Sequence, residues 1–184
     1  SYSKLNKKAL DVLVRSGACD SISDNRFKDK KHLWNCIVNK RPKNRKKFEE
    51  NLVEFKSEDD FTDLEKIENI VSLTGVFPFE LVLDTKVKER LEYLKVPPLS
   101  EFDEDLMLAW FVPREIIPKK TRNGRVFWIV NVIDSNCQVS NVKCWNVRDD
   151  DRIFTNRPYV GRLDYDPQWG FSTRSIKHNF KLVG

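Results

Sequence analysis

Seven of the aromatic residues and six of the cations in the second half of the chain together have the chemistry to hold a single strand of nucleic acid. Trp110, Phe127, Trp128, Trp145, Tyr159, Tyr165 and Trp169 lie among Lys119, Lys120, Arg122, Arg125, Lys143 and Arg162. Aromatic faces stack on bases, on the order of 1–3 kcal/mol for each stacked base, while cations attract the phosphates. Strand parity sorts these residues. Val126 to Ile133 reads as a strand in which Trp128, Val130 and Val132 alternate with Phe127, Ile129, Asn131 and Ile133. A polar Asn131 costs less in solvent than in a core, so Phe127 is expected outward and Trp128 inward. On the following strand the same rule puts Asn141, Lys143 and Trp145 outward, and Val142 and Cys144 inward. Each aromatic taken singly suits a core; the set taken with its cations suits a binding face.

Two features of the first half could take a duplex backbone. In Leu13-Val14-Arg15-Ser16-Gly17-Ala18-Cys19-Asp20-Ser21-Ile22 a helix runs into a glycine turn. The backbone N–H groups of such a turn can point at one phosphate, which would make Arg15, Ser16, Gly17 and Ala18 contacts, with Lys7 and Lys8 adding attraction. A plain helix C-cap is the alternative, and one glycine taken alone favours it. The second feature is Lys40-Arg41-Pro42-Lys43-Asn44-Arg45-Lys46-Lys47, six cations in eight residues. Each phosphate neutralised by Lys40, Arg41, Lys43, Arg45, Lys46 or Lys47 would steepen the salt dependence by about 0.9 on duplex DNA or about 0.7 on single strands. A solubilising loop is the alternative here.

Other chemistries find little footing. Two-metal phosphoryl transfer needs carboxylates gathered on a rigid sheet, whereas Asp149-Asp150-Asp151 are adjacent in a loop-like stretch. No phosphate-loop Gly-Lys pattern, Gly-x-Ser-x-Gly turn or His-Glu-x-x-His helix is found. Cys19, Cys36, Cys137 and Cys144 form no Cys-x-x-Cys pair, and His32 and His178 lie far from any such pair. Reduced thiols are therefore expected, with no metal, no cofactor and no catalytic residue.

These residues are positioned by segments of contrasting charge. Residues 1–47 carry a balance of +10, residues 48–106 of −11 and residues 107–184 of +6, behind a total of +5 over 184 residues. Two basic regions flank an acidic one, as expected if two surfaces meet a polyanion and the middle is kept off it. Clustered solvated helix faces would give the same pattern. No run of 18 apolar residues and no apolar signal core at the start are present, so a cytoplasmic protein is expected. Periodicity predicts helices over 4–16, 26–38, 48–56, 61–73 and 81–94. Strands are predicted over 107–117, 126–133, 138–147, 158–165 and 170–174, with Asn123-Gly124 as a hairpin turn. The expected fold is α+β, with helices in a domain over 1–98 and a five-stranded OB-type β-barrel over 99–184.

The order of these pieces resembles the C-terminal region of the bacterial-type DNA polymerase III α subunit, of the C-family replicative polymerases. Asn6 to Ile22 looks like that family's helix-hairpin-helix entry, an apolar helix followed by Gly-Ala-Phe-Asp-Ser-Leu, and Asn25-Arg26 follows where the family often has Arg. Glu68-Asn69-Ile70-Val71-Ser72-Leu73-Thr74-Gly75-Val76-Phe77-Pro78 looks like its segment ending Gly-His-Pro, with the His replaced and two residues between Gly75 and Pro78. Lys119 to Asp134 looks like the opening hairpin of its OB domain. The resemblance implies a tandem helix-hairpin-helix region on duplex product and an OB barrel near single-stranded template. The parent would be a replicative polymerase of a bacterium or phage, whose metal-binding palm has no counterpart here. It also implies a sliding clamp or another replisome protein as a partner. The nearest match to a clamp motif, Asn51-Leu52-Val53-Glu54-Phe55, lacks the leading Gln and the penultimate Leu. The reading from another class is a protein-interaction adaptor for a clamp or replisome partner, using the acidic middle segment.

Overall fold

The computed structural model describes residues 5–21 and 26–183. The chain divides into two compact units, Ser1–Pro78 and Phe79–Gly184, and each is built by different means.

The first unit is helical. Helix α1 (Lys7–Arg15) starts at Asn6, whose side chain accepts from the Ala9 N–H, and gives way to Gly17 at φ 89°. Here glycine takes the left-handed backbone that other residues enter only at a cost. Helix α2 (Lys30–Trp34) is capped by Asp29 and runs on into a π-helical turn over Asn35–Asn39. The predicted start at Arg26 is thus too early, because Asp29 is the first side chain to satisfy a free helical N–H. Part of the polar stretch before it, residues 22–25, lies outside the described residues. Helix α3 (Arg45–Glu54) begins inside the basic run rather than at Phe48, since Asn44 caps it through the Lys47 N–H. Helix α4 (Asp63–Thr74) opens on a reciprocal capping box between Thr62 and Glu65 and closes at Gly75, φ 73°. Leu10, Val14, Leu33, Cys36, Ile37, Val38 and Phe55 form the core.

The second unit is mixed. Helices α5 (Phe79–Val82) and α6 (Thr85–Leu94) precede seven strands: β1 (Leu108–Lys120), β2 (Val126–Ile133), β3 (Val139–Cys144), β4 (Tyr159–Arg162), β5 (Asp164–Asp166), β6 (Gly170–Thr173) and β7 (Phe180–Leu182). A one-turn helix α7 (Ile176–Asn179) lies between β6 and β7. The strands form one curled sheet in the order β5-β6-β3-β2-β1-β4-β7, antiparallel except for β3 beside β6. Five strands were expected and seven are found, for two local reasons. The predicted strand 158–165 breaks at Leu163, which is buried and donates its N–H to the Met107 carbonyl; β4 before it pairs with β1, and β5 after it pairs with β6. Strand β7 is only three residues long, too short to show alternation.

Curling follows from β1. A register shift between Pro113 and Glu115 bends it, so its first half pairs with β4 and its second half with β2. Proline cannot donate to a ladder and is at home beside such a bulge. Phe111, Val130, Val132, Val142, Cys144, Leu163 and Phe180 fill the core. Gly161 lets β4 pass close over it: a Cβ there would lie 2.7 Å from the Phe111 ring.

Candidate nucleic-acid interface

The register of β1, β2 and β3 lays the polar-facing residues out in rows. Lys119 pairs with Phe127, Ile117 with Ile129 and Lys143, and Glu115 with Asn131 and Asn141. The opposite face carries Trp128, Val130, Val132, Val142 and Cys144, all in or against the core. Parity therefore assigns the faces of both strands as anticipated. Where β2 begins and β3 ends, the Phe127 and Trp145 rings stack at 4.6 Å between centroids and 25° between planes. One row away, the Lys143 ammonium donates to the Trp169 carbonyl at 2.8 Å and lies 5.2 Å from the Trp169 ring centre. Trp169 is 64% exposed, an unusual position for an indole with no core role. Asn131 is held by Glu115 at 2.8 Å, and Asn141 is exposed.

The hairpin after β1 extends this face. Around Gly124, which sits at φ 75°, the Thr121 N–H donates to the Arg125 carbonyl and the Arg125 N–H donates to the Thr121 hydroxyl. Lys119, Lys120, Arg122 and Arg125 are exposed on the strand end and the turn. Arg125 also lines a cleft of about 700 Å³ with Thr121, Asn123, Val126, Trp145, Asn146, Val147 and Arg174. Arg162 is exposed on β4 opposite Leu108, off the β2–β3 rows. Sequence reasoning missed Arg174 and Asn146 and found no partner for Trp169. Arg174 enters because β6 runs parallel to β3, with Thr173 beside Cys144, and a parallel pairing between distant segments leaves no local signal.

In the helical unit the predicted contacts fare differently from one another. Arg15 donates to both Asp11 oxygens, from Nε at 2.8 Å and Nη2 at 2.5 Å, and to Asn69 at 3.0 Å. Asp11 also accepts from the Trp34 indole N–H at 2.6 Å. The Arg15 bonds hold the Asp11 carboxyl below the usual carboxylate range, against a burial that raises it. The Ser16 and Gly17 N–H groups donate back to the Val12 and Val14 carbonyls, and the Ser16 hydroxyl to Leu13. Asp20 and Lys30, paired at 2.9 Å, crowd Gly17, while Ala18 is exposed. Arg41 donates to the Leu5 carbonyl at 2.7 Å. Arg45 pairs with Glu49 and Lys47 with Glu50. Lys7, Lys8, Lys40, Lys43 and Lys46 are exposed and have no ion-pair partner among the described residues. Asn51 and Phe55, from the segment nearest a clamp motif, are buried; the Asn51 amide donates to the Cys36 and Lys40 carbonyls.

Several of the remaining reactive groups are buried or paired within the fold. All four cysteines are unpaired. Burial pushes the Cys36 thiol up to about 11 and the Cys144 thiol up to about 12, with nearby Glu54 and Asp151 adding to each. Asp151 accepts from the Arg148 N–H and Asp150 pairs with Lys177. Among the described residues no group of three or more His, Cys, Asp or Glu side chains could hold a metal ion, and no helix is long and apolar enough to cross a membrane. No protein-family model matches the chain, and no curated protein matches it either.

Proposed function

We propose that this chain is a DNA-binding part of a replicative DNA polymerase of the kind its motifs resemble, taking single strands on the sheet unit and duplex backbone on the helical unit. The observation that carries the reading is the outward sheet face that holds the half-buried Phe127–Trp145 stack and Lys143 together with the exposed Trp169 and Arg125. It joins ring faces for bases to cations for phosphates, the pairing that single strands require. An OB-type barrel is the fold reading that fits the sheet. Strands β4 and β5 are separated by Leu163 alone, so the two arms of the strand order are joined through the chain: β1 and β7 flank β4 in one arm, and β6 holds β5 at the edge of the other. The shared β1, the antiparallel β1-β2-β3 run and the parallel β3–β6 pair support the same reading.

For the helical unit the support is electrostatic. Helices α1 and α3 have no acidic residue in the first turn, where Lys7, Lys8, Arg45, Lys46 and Lys47 stand instead. Cations at a helix N-terminus work against the macrodipole by a few tenths of a kcal/mol each, and an approaching phosphate would reverse that sign.

Binding of the full chain to single-stranded, duplex and primer-template DNA at about 50 mM salt tests the reading, because the electrostatic part of binding is strongest there. Affinity should fall steeply as salt rises. Replacing Lys40, Lys43 and Lys46 by Gln should lower the salt slope on duplex by up to about 0.9 for each phosphate no longer neutralised. Equal failure on all three substrates would sink the proposal. Binding untouched by removal of these cations and of Arg122 and Arg125 would favour the adaptor instead.

A further inference from the structure

The cleft beside the β1–β2 hairpin has walls of two chemical kinds. Trp145, Val126 and Val147 supply flat or apolar surface, and Arg125, Arg174, Asn123, Asn146 and Thr121 supply polar groups. Phe127 covers one face of the Trp145 indole and is not part of the cleft, so the cleft takes the part of the ring that Phe127 leaves open. Neither guanidinium has an ion-pair partner among the described residues. Two unpaired guanidinium groups in one concavity repel each other, and an anion between them removes that repulsion. Asn146 stands at φ 55° and its amide reaches the Arg174 carbonyl at 3.5 Å, linking the segments that follow β3 and β6 where both line the cleft.

We infer that this cleft is a nucleotide subsite: the base stacks on Trp145 to continue the Phe127–Trp145 column, and its phosphate lies between Arg125 and Arg174. The inference rests on the sheet face taking single strands, and it places one nucleotide of the strand where it leaves that face at the hairpin. A volume of about 700 Å³ suits one base with its sugar and phosphate and lies within the usual range of small-ligand sites. The same chemistry would accept a free mononucleotide, and the experiment separates the two sources.

Oligothymidylates from about 4 to 16 nucleotides, the range of site sizes for a barrel of this kind, are titrated against the full chain and against R125Q/R174Q. Thymidine monophosphate forms a second arm. With the wild-type chain, affinity should step up when the strand becomes long enough to reach the cleft, by about five- to a hundredfold for one stacked base. In R125Q/R174Q, which keeps the Trp145 ring but loses both phosphate contacts, the ratio of long-strand to short-strand affinity should fall, and the salt slope for long strands should drop by about 0.7 for each phosphate the cleft no longer holds. Thymidine monophosphate binding that the variant abolishes, without a length step, would keep the subsite and assign it to free nucleotides. An affinity ratio unchanged in the variant overturns the inference, since the two arginines then act only as diffuse charge. So does a wild-type chain that binds strands with no length step and takes no monophosphate. A wild-type chain that binds no strand of any length overturns the single-strand reading itself, and that outcome differs from either of the others.

Discussion

In the helical unit Arg15 is locked by Asp11 and Asn69 and Lys30 by Asp20, whereas in the sheet unit Arg125 and Arg174 line an open cleft without ion-pair partners among the described residues. The aromatics differ in the same sense. Trp34 is tied by its N–H to Asp11 and packs edge-on against Phe61, while Trp145 stacks with Phe127 at a cleft and Trp169 is largely exposed. The helical unit uses Arg15, Lys30 and Trp34 for contacts inside the fold and leaves Lys40, Lys43 and Lys46 to solvent; the sheet unit turns rings as well as cations outward over its core. A basic segment is thus not by itself a binding surface. What decides is whether a partner inside the fold has already claimed each charge.

The largest expected effect should come from removing the outward stack. F127A/W145A should weaken binding of single-stranded DNA by about five- to a hundredfold or more, the loss of one or two stacked bases. The melting temperature should move little, because neither residue belongs to the core cluster. A large loss of stability with unchanged affinity would reverse the roles of the two units. Next in size is a change inside the sheet unit. G161A places a methyl against the Phe111 and Phe180 rings, and overpacking of this kind costs about 1–3 kcal/mol. Denaturant melts monitored by near-ultraviolet circular dichroism should show that loss, and an unchanged midpoint would mean that β4 does not lie so close to the core.

Smaller still is the contribution of the locked arginine. R15Q should destabilise the helical unit by about 1 kcal/mol and leave DNA affinity within about twofold, well under the tenfold that 1.4 kcal/mol represents. A large affinity loss would return Arg15 to the interface. The smallest effect is its pH signature. The Asp11 carboxyl is held low in the fold by the Arg15 bonds, so its stabilisation is full above the unfolded carboxyl value, about 3.9. It fades as the pH falls through the lower folded value. Wild-type protein should therefore lose more stability than R15Q on acidification from about pH 5 to about pH 2. Parallel acid profiles would refute that origin.

Alternation along Val126 to Ile133 and Gln138 to Val147 was enough to assign the two sheet faces, because a strand reverses its side chains at each step and Asn131 and Lys143 mark the wet side. Gly17 and Gly75 ended helices where local backbone chemistry said they should. The caps at Asn44 and Thr62 were harder to place, since several polar residues compete near each start and only the one whose oxygen reaches a free N–H wins. The strand count was not legible either. Leu163 divides one predicted strand by entering the core, and β7 depends on an edge that β4 offers only once folded.

The residue types and their alternation by themselves determined which side chains could face a ligand: Phe127, Asn141, Lys143 and Trp145 follow from periods set by backbone geometry, and those periods are local. Tertiary structure alone decided which charges are available. Arg15 meets Asn69 54 residues away, and Arg174 reaches the Trp145 cleft through a parallel pairing. Such meetings depend on the register between segments far apart in the chain, and pairwise electrostatics at about 3 Å is invisible to any count of charges along it.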